Sequence, residues 1–93
     1  MDAQRWKYWN EYIDNDLEEV DFTTWNVVGE PLDYSSTFQE EVGYALDEVL
    51  LVKDPAADRW CVVDCEFMGQ DFYLITGPFP SEEEAREWVA FYP

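Results

Sequence analysis

The charge of this chain constrains its fold more than any other feature. Its 93 residues include 22 Asp and Glu, 5 Lys and Arg and no His, which gives a formal net charge of −17. Charge of this magnitude repels itself and destabilises a compact state. The chain nevertheless has the material for a core, since 47% of its residues are hydrophobic and 18% aromatic. Acidic chains that stay disordered lack such aromatic content. We therefore predict a single folded domain over residues 1–93.

The first twenty residues have the pattern of an amphipathic helix. Asp2 is a suitable N-cap for a helix from about Ala3 to Val20. Apolar residues recur at helical spacing and form one stripe, made of Trp6, Trp9, Ile13, Leu17 and Val20. Acids occupy the opposite face, namely Glu11, Asp14, Glu18 and Asp21. The poor helix formers in the run 14–16 leave open a break within this helix.

A short edge strand and a short middle helix are expected next. Alternation of apolar or β-branched residues around Trp25 indicates the strand, which Gly29 and Pro31 end. Ser36 begins the helix, with Gln39 completing a capping-box pattern.

The end of the middle helix has two interpretations. Helical periodicity continues to about Glu48, so the helix can run that far. Alternatively, Gly43 terminates it and a strand begins at Tyr44. The second is favoured because Val49 to Val52 has the composition of a strand that needs a partner.

That partner is the segment Arg59 to Phe67, which follows a five-residue turn over 54–58. A second turn over 68–71 leads into a third strand, Phe72 to Thr76. In the middle strand, Cys61 and Cys65 share an apolar face and lie about 13 Å apart along the strand. This separation exceeds the roughly 7 Å limit for a disulfide, so both are expected to be buried thiols.

The last element is the clearest in the sequence. A capping box over 81–84 begins a helix, and its three acids lie favourably at the helix N-terminus. One face of this helix is apolar, consisting of Ala85, Trp88, Val89 and Tyr92. The whole pattern predicts an α+β fold: a three- to four-stranded antiparallel meander packed with an N-terminal amphipathic helix, a short middle helix and a C-terminal helix.

The composition argues against catalysis and cofactor binding. Without His, the chain has no Ser–His or Cys–His nucleophile and no His-based metal site. A calcium loop starting at Asp14 fails, because Glu19 stands where glycine is required and Trp25 where the bidentate glutamate is required. We predict no enzyme activity, no cofactor and no metal. The N-terminus has no apolar run of signal-peptide length, so a cytoplasmic protein is expected, in the host cytoplasm if it is phage-encoded.

The acids are distributed unevenly along the chain. From Tyr8 to Val52 there is no Lys or Arg, whereas solvated surfaces ordinarily mix both signs. In the sheet, a register that pairs Lys53 with Arg59 places Glu48 opposite Asp64, with Glu66 on the same face; another register avoids this contact of like charges. The predicted partner-binding residues are Glu11, Asp14, Glu18, Asp21, Asp33, Glu40, Glu41, Asp47, Glu48, Asp64 and Glu66.

These features favour binding to a positively charged protein, without direct contact with nucleic acid or membrane. In size, charge and aromatic content the chain resembles the small phage-encoded inhibitors of bacterial defence, such as antirestriction and anti-CRISPR proteins. The resemblance implies a nucleic-acid mimic that blocks the basic surface of a nucleic-acid-binding effector. Two alternatives remain: an immunity or antitoxin protein that caps a basic nuclease toxin, and a halophile-type acidic housekeeping domain. The sequence leaves the oligomeric state open.

Overall fold

The structure is a computed structural model that describes residues 20–43, 46–66 and 71–90. Within these ranges the chain forms an antiparallel sheet with strand order β1-β2-β3-β4 and two α-helices. The strands are β1 (Asn26–Val27), β2 (Glu48–Lys53), β3 (Trp60–Glu66) and β4 (Asp71–Phe79). The helices are α1 (Ser36–Val42) and α2 (Glu82–Ala90), and a 3₁₀ turn at Phe22–Thr24 precedes β1. The predicted α+β class and the antiparallel meander are confirmed.

Some predictions fall beyond these ranges. The N-terminal helix predicted from Ala3 lies outside the described residues except for Val20, and so does its acidic face of Glu11, Asp14 and Glu18. The turn after Phe67 and residue Tyr44 also lie outside them, but the strand predicted to begin at Tyr44 begins later, at Glu48.

The register between β2 and β3 decides between the two alternatives that the sequence left open. Lys53 pairs with Trp60 and not with Arg59, so Glu48 lies opposite Cys65. This is the register that avoids the contact of Glu48 with Asp64. The turn sets this register: the Asp54 N–H donates to the Arg59 carbonyl at 2.9 Å, so Arg59 lies opposite Asp54 and Trp60 lies opposite Lys53. A shift of one residue moves a side chain to the other face of a sheet.

Both faces of the sheet are buried. One face packs against the two helices, and its buried core consists of Phe38, Val49, Leu51, Val62, Ile75, Phe79, Ala85, Trp88 and Val89. The other face is covered in part by the 3₁₀ turn, with a core of Phe22, Trp25, Leu50, Val52, Cys61, Val63 and Cys65. Burial on two sides explains why β2 has a continuous apolar run without alternation. Both cysteines are buried and not disulfide-bonded, as predicted.

Side-chain caps fix where the helices begin. The Ser35 hydroxyl accepts from the Phe38 N–H at 3.1 Å and caps α1, which ends at Gly43 in the left-handed conformation. The capping box predicted at Ser36 is wrong, because Ser35 is the N-cap and Ser36 is the first helical residue; the Gln39 side chain accepts from the Leu46 N–H at 3.4 Å. The cap predicted for α2 is confirmed, since the Ser81 hydroxyl accepts from the Glu84 N–H at 3.1 Å.

β4 and β1 differ in length from their predictions. β4 runs to Phe79, beyond the expected end at Thr76, and passes through irregular pairing with β3 around Val62. β1 is reduced to two residues because the 3₁₀ turn takes the segment before it, although Val28 and Leu32 continue to donate to β2 carbonyls at 2.8 Å. These bonds hold the segment after β1 along the outer edge of β2.

Candidate functional site

The sheet gathers acidic residues at one of its ends. In an antiparallel meander the start of β2, the end of β3 and the start of β4 meet. We call this place the acidic end and define it by Asp47, Glu48, Asp64, Glu66 and Asp71. The six residues of β2 separate it by about 17 Å from the turn at 54–59. Lys53 and Arg59 lie at that far end, so the sheet is electrostatically polarised along its strands.

Every Lys and Arg in the described ranges is engaged with the protein itself. The Lys53 ammonium donates to two carbonyl oxygens of the turn, each at 3.2 Å. Arg59 pairs with Asp54 at 2.7 Å. Arg86 pairs with Glu82 at 2.9 Å and donates to a carbonyl after β1 at 3.1 Å. Lys53 and Arg59 are therefore bound at the opposite end of the strands, and Arg86 is held by Glu82 and a backbone carbonyl, so none of the three pairs with a carboxylate of the acidic end.

Asp64 is completely buried beneath the acidic end. Its Oδ1 atom accepts from the Asp47 N–H at 3.1 Å, whereas its Oδ2 atom has no hydrogen-bond partner. Asp64 was predicted to contact a partner, and its burial corrects that prediction: its side chain does not reach the surface. Its role is to hold the backbone at the start of β2, so that Asp47 and Glu48 stay exposed. A buried carboxylate that is only half satisfied is costly.

Glu66 and Asp71 lie directly opposite each other on β3 and β4. Side chains in such a pair have Cβ atoms about 4.5–5.5 Å apart, where like charges destabilise each other. Burial raises the pKa of Glu66 above its ordinary value, and the charges of Asp64, Asp47 and Asp71 raise it further. A protonated Glu66 can also donate a hydrogen bond to the Asp64 carboxylate, which favours the same shift.

Sequence reasoning missed Asp71 because it assigned this residue to the turn. The signal was present in the spacing: a short connection after Phe67 places an early β4 residue opposite the end of β3. Asp71 is exposed and is the first residue of its strand.

The remaining predicted residues lie elsewhere. Asp33 and Glu40 are exposed and Glu41 is half-buried, on the loop after β1 and on α1. Asp21 is exposed, but its carboxylate caps the 3₁₀ turn by accepting from the Thr23 N–H at 3.0 Å. Hydrogen bonds from the Thr23 hydroxyl and N–H lower the pKa of Asp21. Asp21 is thus occupied by a structural task.

A groove of about 680 Å³ opens on the sheet face opposite Asp64. Asp47 and Glu48 line one part of it, and apolar or small residues line the rest, namely Val27, Gly29, Pro31, Leu50, Cys65 and Phe72. In the described ranges no three Cys, Asp or Glu side chains are grouped so that they could hold a metal ion. None of the helices described is long and apolar enough to cross a membrane.

Comparison of the chain with protein-family models, with curated proteins and with solved structures finds no match. The fold and the site therefore define the class by themselves: a small α+β protein whose sheet ends in a cluster of carboxylates. Its function has to be argued from that cluster.

Proposed function

We propose that the protein is an acidic inhibitor that mimics nucleic acid and occupies the basic surface of a nucleic-acid-binding partner. The supporting observation is the one-sided use of charge in the described structure. Its cations are bound to the chain's own turn, sheet edge and helix, while Asp47, Glu48 and Asp71 are each exposed at the same end of the sheet. A surface of this kind attracts basic proteins over long range and repels DNA, RNA and anionic membranes.

The spacing of the acidic end supports mimicry. Carboxylates on paired or alternate strand positions lie about 5–7 Å apart. Phosphates along one nucleic-acid strand advance about 3.4 Å per nucleotide along the axis and further along the curved backbone. Because Asp64 is buried, Glu66 and Asp71 are the pair of the acidic end that has this spacing at the surface, and a basic groove that follows phosphates finds these two carboxylates at a comparable interval. The partner that fits best is the effector of a bacterial defence system, acting in the cytoplasm.

One observation favours an immunity-type protein as the second candidate. Tyr73 is 45% exposed and lies opposite Asp64 in the register of β3 and β4. An exposed aromatic beside carboxylates is typical of an anchor in a narrow, tight interface. Such a protein would cap a basic nuclease beside its active site, and competing nucleic acid would not displace it.

The test is affinity capture from nuclease-treated bacterial lysate with the tagged full chain. The variant Asp47→Lys with Glu48→Lys reverses two exposed acids of the acidic end. The matched control, Asp58→Lys with Glu83→Lys, makes the same change in net charge at two exposed acids away from it. Wild type and control should recover the same nucleic-acid-binding protein, and the Asp47/Glu48 variant should lose it. Equal recovery by both variants would contradict the assignment of the surface.

A further inference from the structure

We infer that the acidic end contains a receptor for an arginine side chain of the partner, in which Glu66 and Asp71 bind the guanidinium, Tyr73 stacks on it and Asp64 supplies charge from beneath. This inference rests on the proposed function, because it names the chemical group through which a basic partner would engage the acidic end.

The register of β3 and β4 creates the geometry. Glu66 lies opposite Asp71, and Asp64 lies opposite Tyr73, so the four side chains form two adjacent rungs on one face of the sheet. Rungs two residues apart are separated by about 6.6 Å, and partners across a rung by about 5 Å. A planar guanidinium presents donors to two acceptors at once and stacks on an aromatic face. One rung therefore offers the acceptors and the next offers the aromatic ring.

The hydrogen bonding of Asp64 is a second observation that favours a bound cation at this cluster. The Oδ2 atom of Asp64 is buried without a hydrogen-bond partner, and Asp64 itself is 0% exposed. Its charge is close enough to Glu66 to raise the pKa of that carboxyl. In the part of the chain described, Lys53 and Arg59 are bound at the opposite end of the strands, and Arg86 is bound to Glu82 and to the Val28 carbonyl. The buried charge thus lacks a counter-ion that a partner's guanidinium would supply.

Protonation of Glu66 competes with the binding of a guanidinium. Burial, followed by the charges of Asp64, Asp47 and Asp71, favours the protonated form of Glu66, and Tyr73 is the other titratable group on these rungs. A guanidinium would favour the ionised form and expel that proton. Binding of a guanidinium should therefore weaken as the pH falls through the pKa of Glu66, and the variant Glu66→Gln should lose this pH dependence.

The receptor chemistry selects arginine over the other cations. Within the described residues, no group of three or more Cys, Asp or Glu side chains has an arrangement that could hold a metal ion. A lysine ammonium is a compact point charge that neither bridges two carboxylates in a plane nor stacks as a flat group. Tyr73 is 45% exposed, and an aromatic ring attracts a planar cation such as a guanidinium that can stack on it.

The experiment measures the binding of two nine-residue peptides to the full-length chain at low salt, one alternating Arg with Gly and the other Lys with Gly. The test variant is Glu66→Gln with Asp71→Asn. The matched control, Asp58→Asn with Glu83→Gln, removes the same charge by the same chemistry elsewhere. We expect the test variant to weaken the arginine peptide about fivefold, the effect of losing two partly exposed ion pairs, and the control to change it by less than about twofold.

The variant Tyr73→Leu should abolish the preference for the arginine peptide over the lysine peptide. Removing the repulsion between Glu66 and Asp71 should not unfold the protein, and far-ultraviolet circular dichroism checks this. Equal effects of the test and control variants, or equal binding of both peptides by the wild type, would refute the inference that the acidic end binds an arginine side chain.

The receptor and the proposed function fail in different ways. If the Asp47/Glu48 reversal abolishes capture of a partner while the Glu66/Asp71 variant binds the arginine peptide as the wild type does, the receptor is wrong and the function stands. If the wild type captures no nucleic-acid-binding protein, the function is wrong even where the peptide results agree with the receptor.

Discussion

Replacing Phe38 by Ala should destabilise the protein more than any change on its surface. Phe38 is completely buried, and it is the only residue of α1 that is. Its ring meets Trp88 of α2 edge-on at 6.0 Å and Tyr34 at 5.7 Å. A buried Phe→Ala change costs about 3–5 kcal/mol, against a total stability of about 5–15 kcal/mol for a domain. At about 4–8 °C per kcal/mol, the Tm should fall by about 12 °C or more.

Urea unfolding followed by tryptophan fluorescence measures this loss. The matched control is Tyr34→Ala, which removes an aromatic ring that is 36% exposed and should cost about 1 kcal/mol. A loss below about 1 kcal/mol for Phe38→Ala would show that α1 does not pack on the sheet, and the two-helix core would be refuted. Loss of all cooperative unfolding in Phe38→Ala, with Tyr34→Ala intact, agrees with a domain near the lower limit of stability.

Three further predictions concern backbone, pH and the N-terminal acids. Gly29→Ala should destabilise more than Gly43→Ala. Both residues have positive φ, which costs a non-glycine residue about 1–2 kcal/mol. At Gly29 a Cβ would also lie 2.6 Å from the Arg86 guanidinium, which would have to move and give up its hydrogen bond to the Val28 carbonyl, whereas at Gly43 a Cβ meets nothing. Thermal unfolding of both variants checks this. A backbone N–H of the turn and then the Arg59 guanidinium lower the pKa of Asp54, so its stabilisation is present above the unfolded pKa near 3.9 and is lost as the pH falls through the folded value. The raised pKa of Glu66 has the opposite sign: its stabilisation is present below the unfolded pKa near 4.3 and is lost as the pH rises through the folded value. Urea titrations from pH 3 to 8 should therefore show Asp54→Asn less stable than wild type at neutral pH and Glu66→Gln more stable, with both differences shrinking in acid. Finally, replacing Glu11, Asp14 and Glu18 by Lys should keep the fold and abolish partner binding in the capture assay. Unchanged recovery of the partner would show that this N-terminal face is not part of the interface.

Local patterns in the sequence were sufficient for much of the fold. The cap at Ser81, the apolar face of α2 and the pairing of β2 with β3 depend on neighbours close in the chain, so periodicity and capping rules identify them. The buried thiols of Cys61 and Cys65 also follow from strand spacing alone.

Register and site geometry were not readable in the same way. The turn closes through the Asp54 carboxylate, which binds the Ala56 N–H at 2.8 Å and the guanidinium of Arg59, and this choice shifts the register by one residue. Alternation cannot detect such a shift in β2, because both faces of that strand are apolar. The consequence is the misplacement of Asp64, which was expected on a surface ridge and is instead a buried anchor for Asp47.

The sequence predicted an acidic surface but did not predict which residues form the acidic end. An unbalanced stretch of acids indicated a charged surface, but charge counting does not tell which carboxylates converge. Convergence is decided by the pairing of Glu66, the last residue of β3, with Asp71, the first residue of β4, which the sequence assigned to the preceding turn.

The central claim is that this protein mimics nucleic acid, and it is tested by asking whether nucleic acid competes with the protein for the same partner. The measurement is the dissociation constant of the captured partner, taken with and without duplex DNA or RNA and repeated from about 50 to 200 mM salt. We predict that nucleic acid displaces the protein competitively and that affinity falls steeply with salt, because both ligands use the same basic surface. An affinity that is indifferent to nucleic acid and to salt would contradict mimicry and favour a capping protein that binds beside the active site.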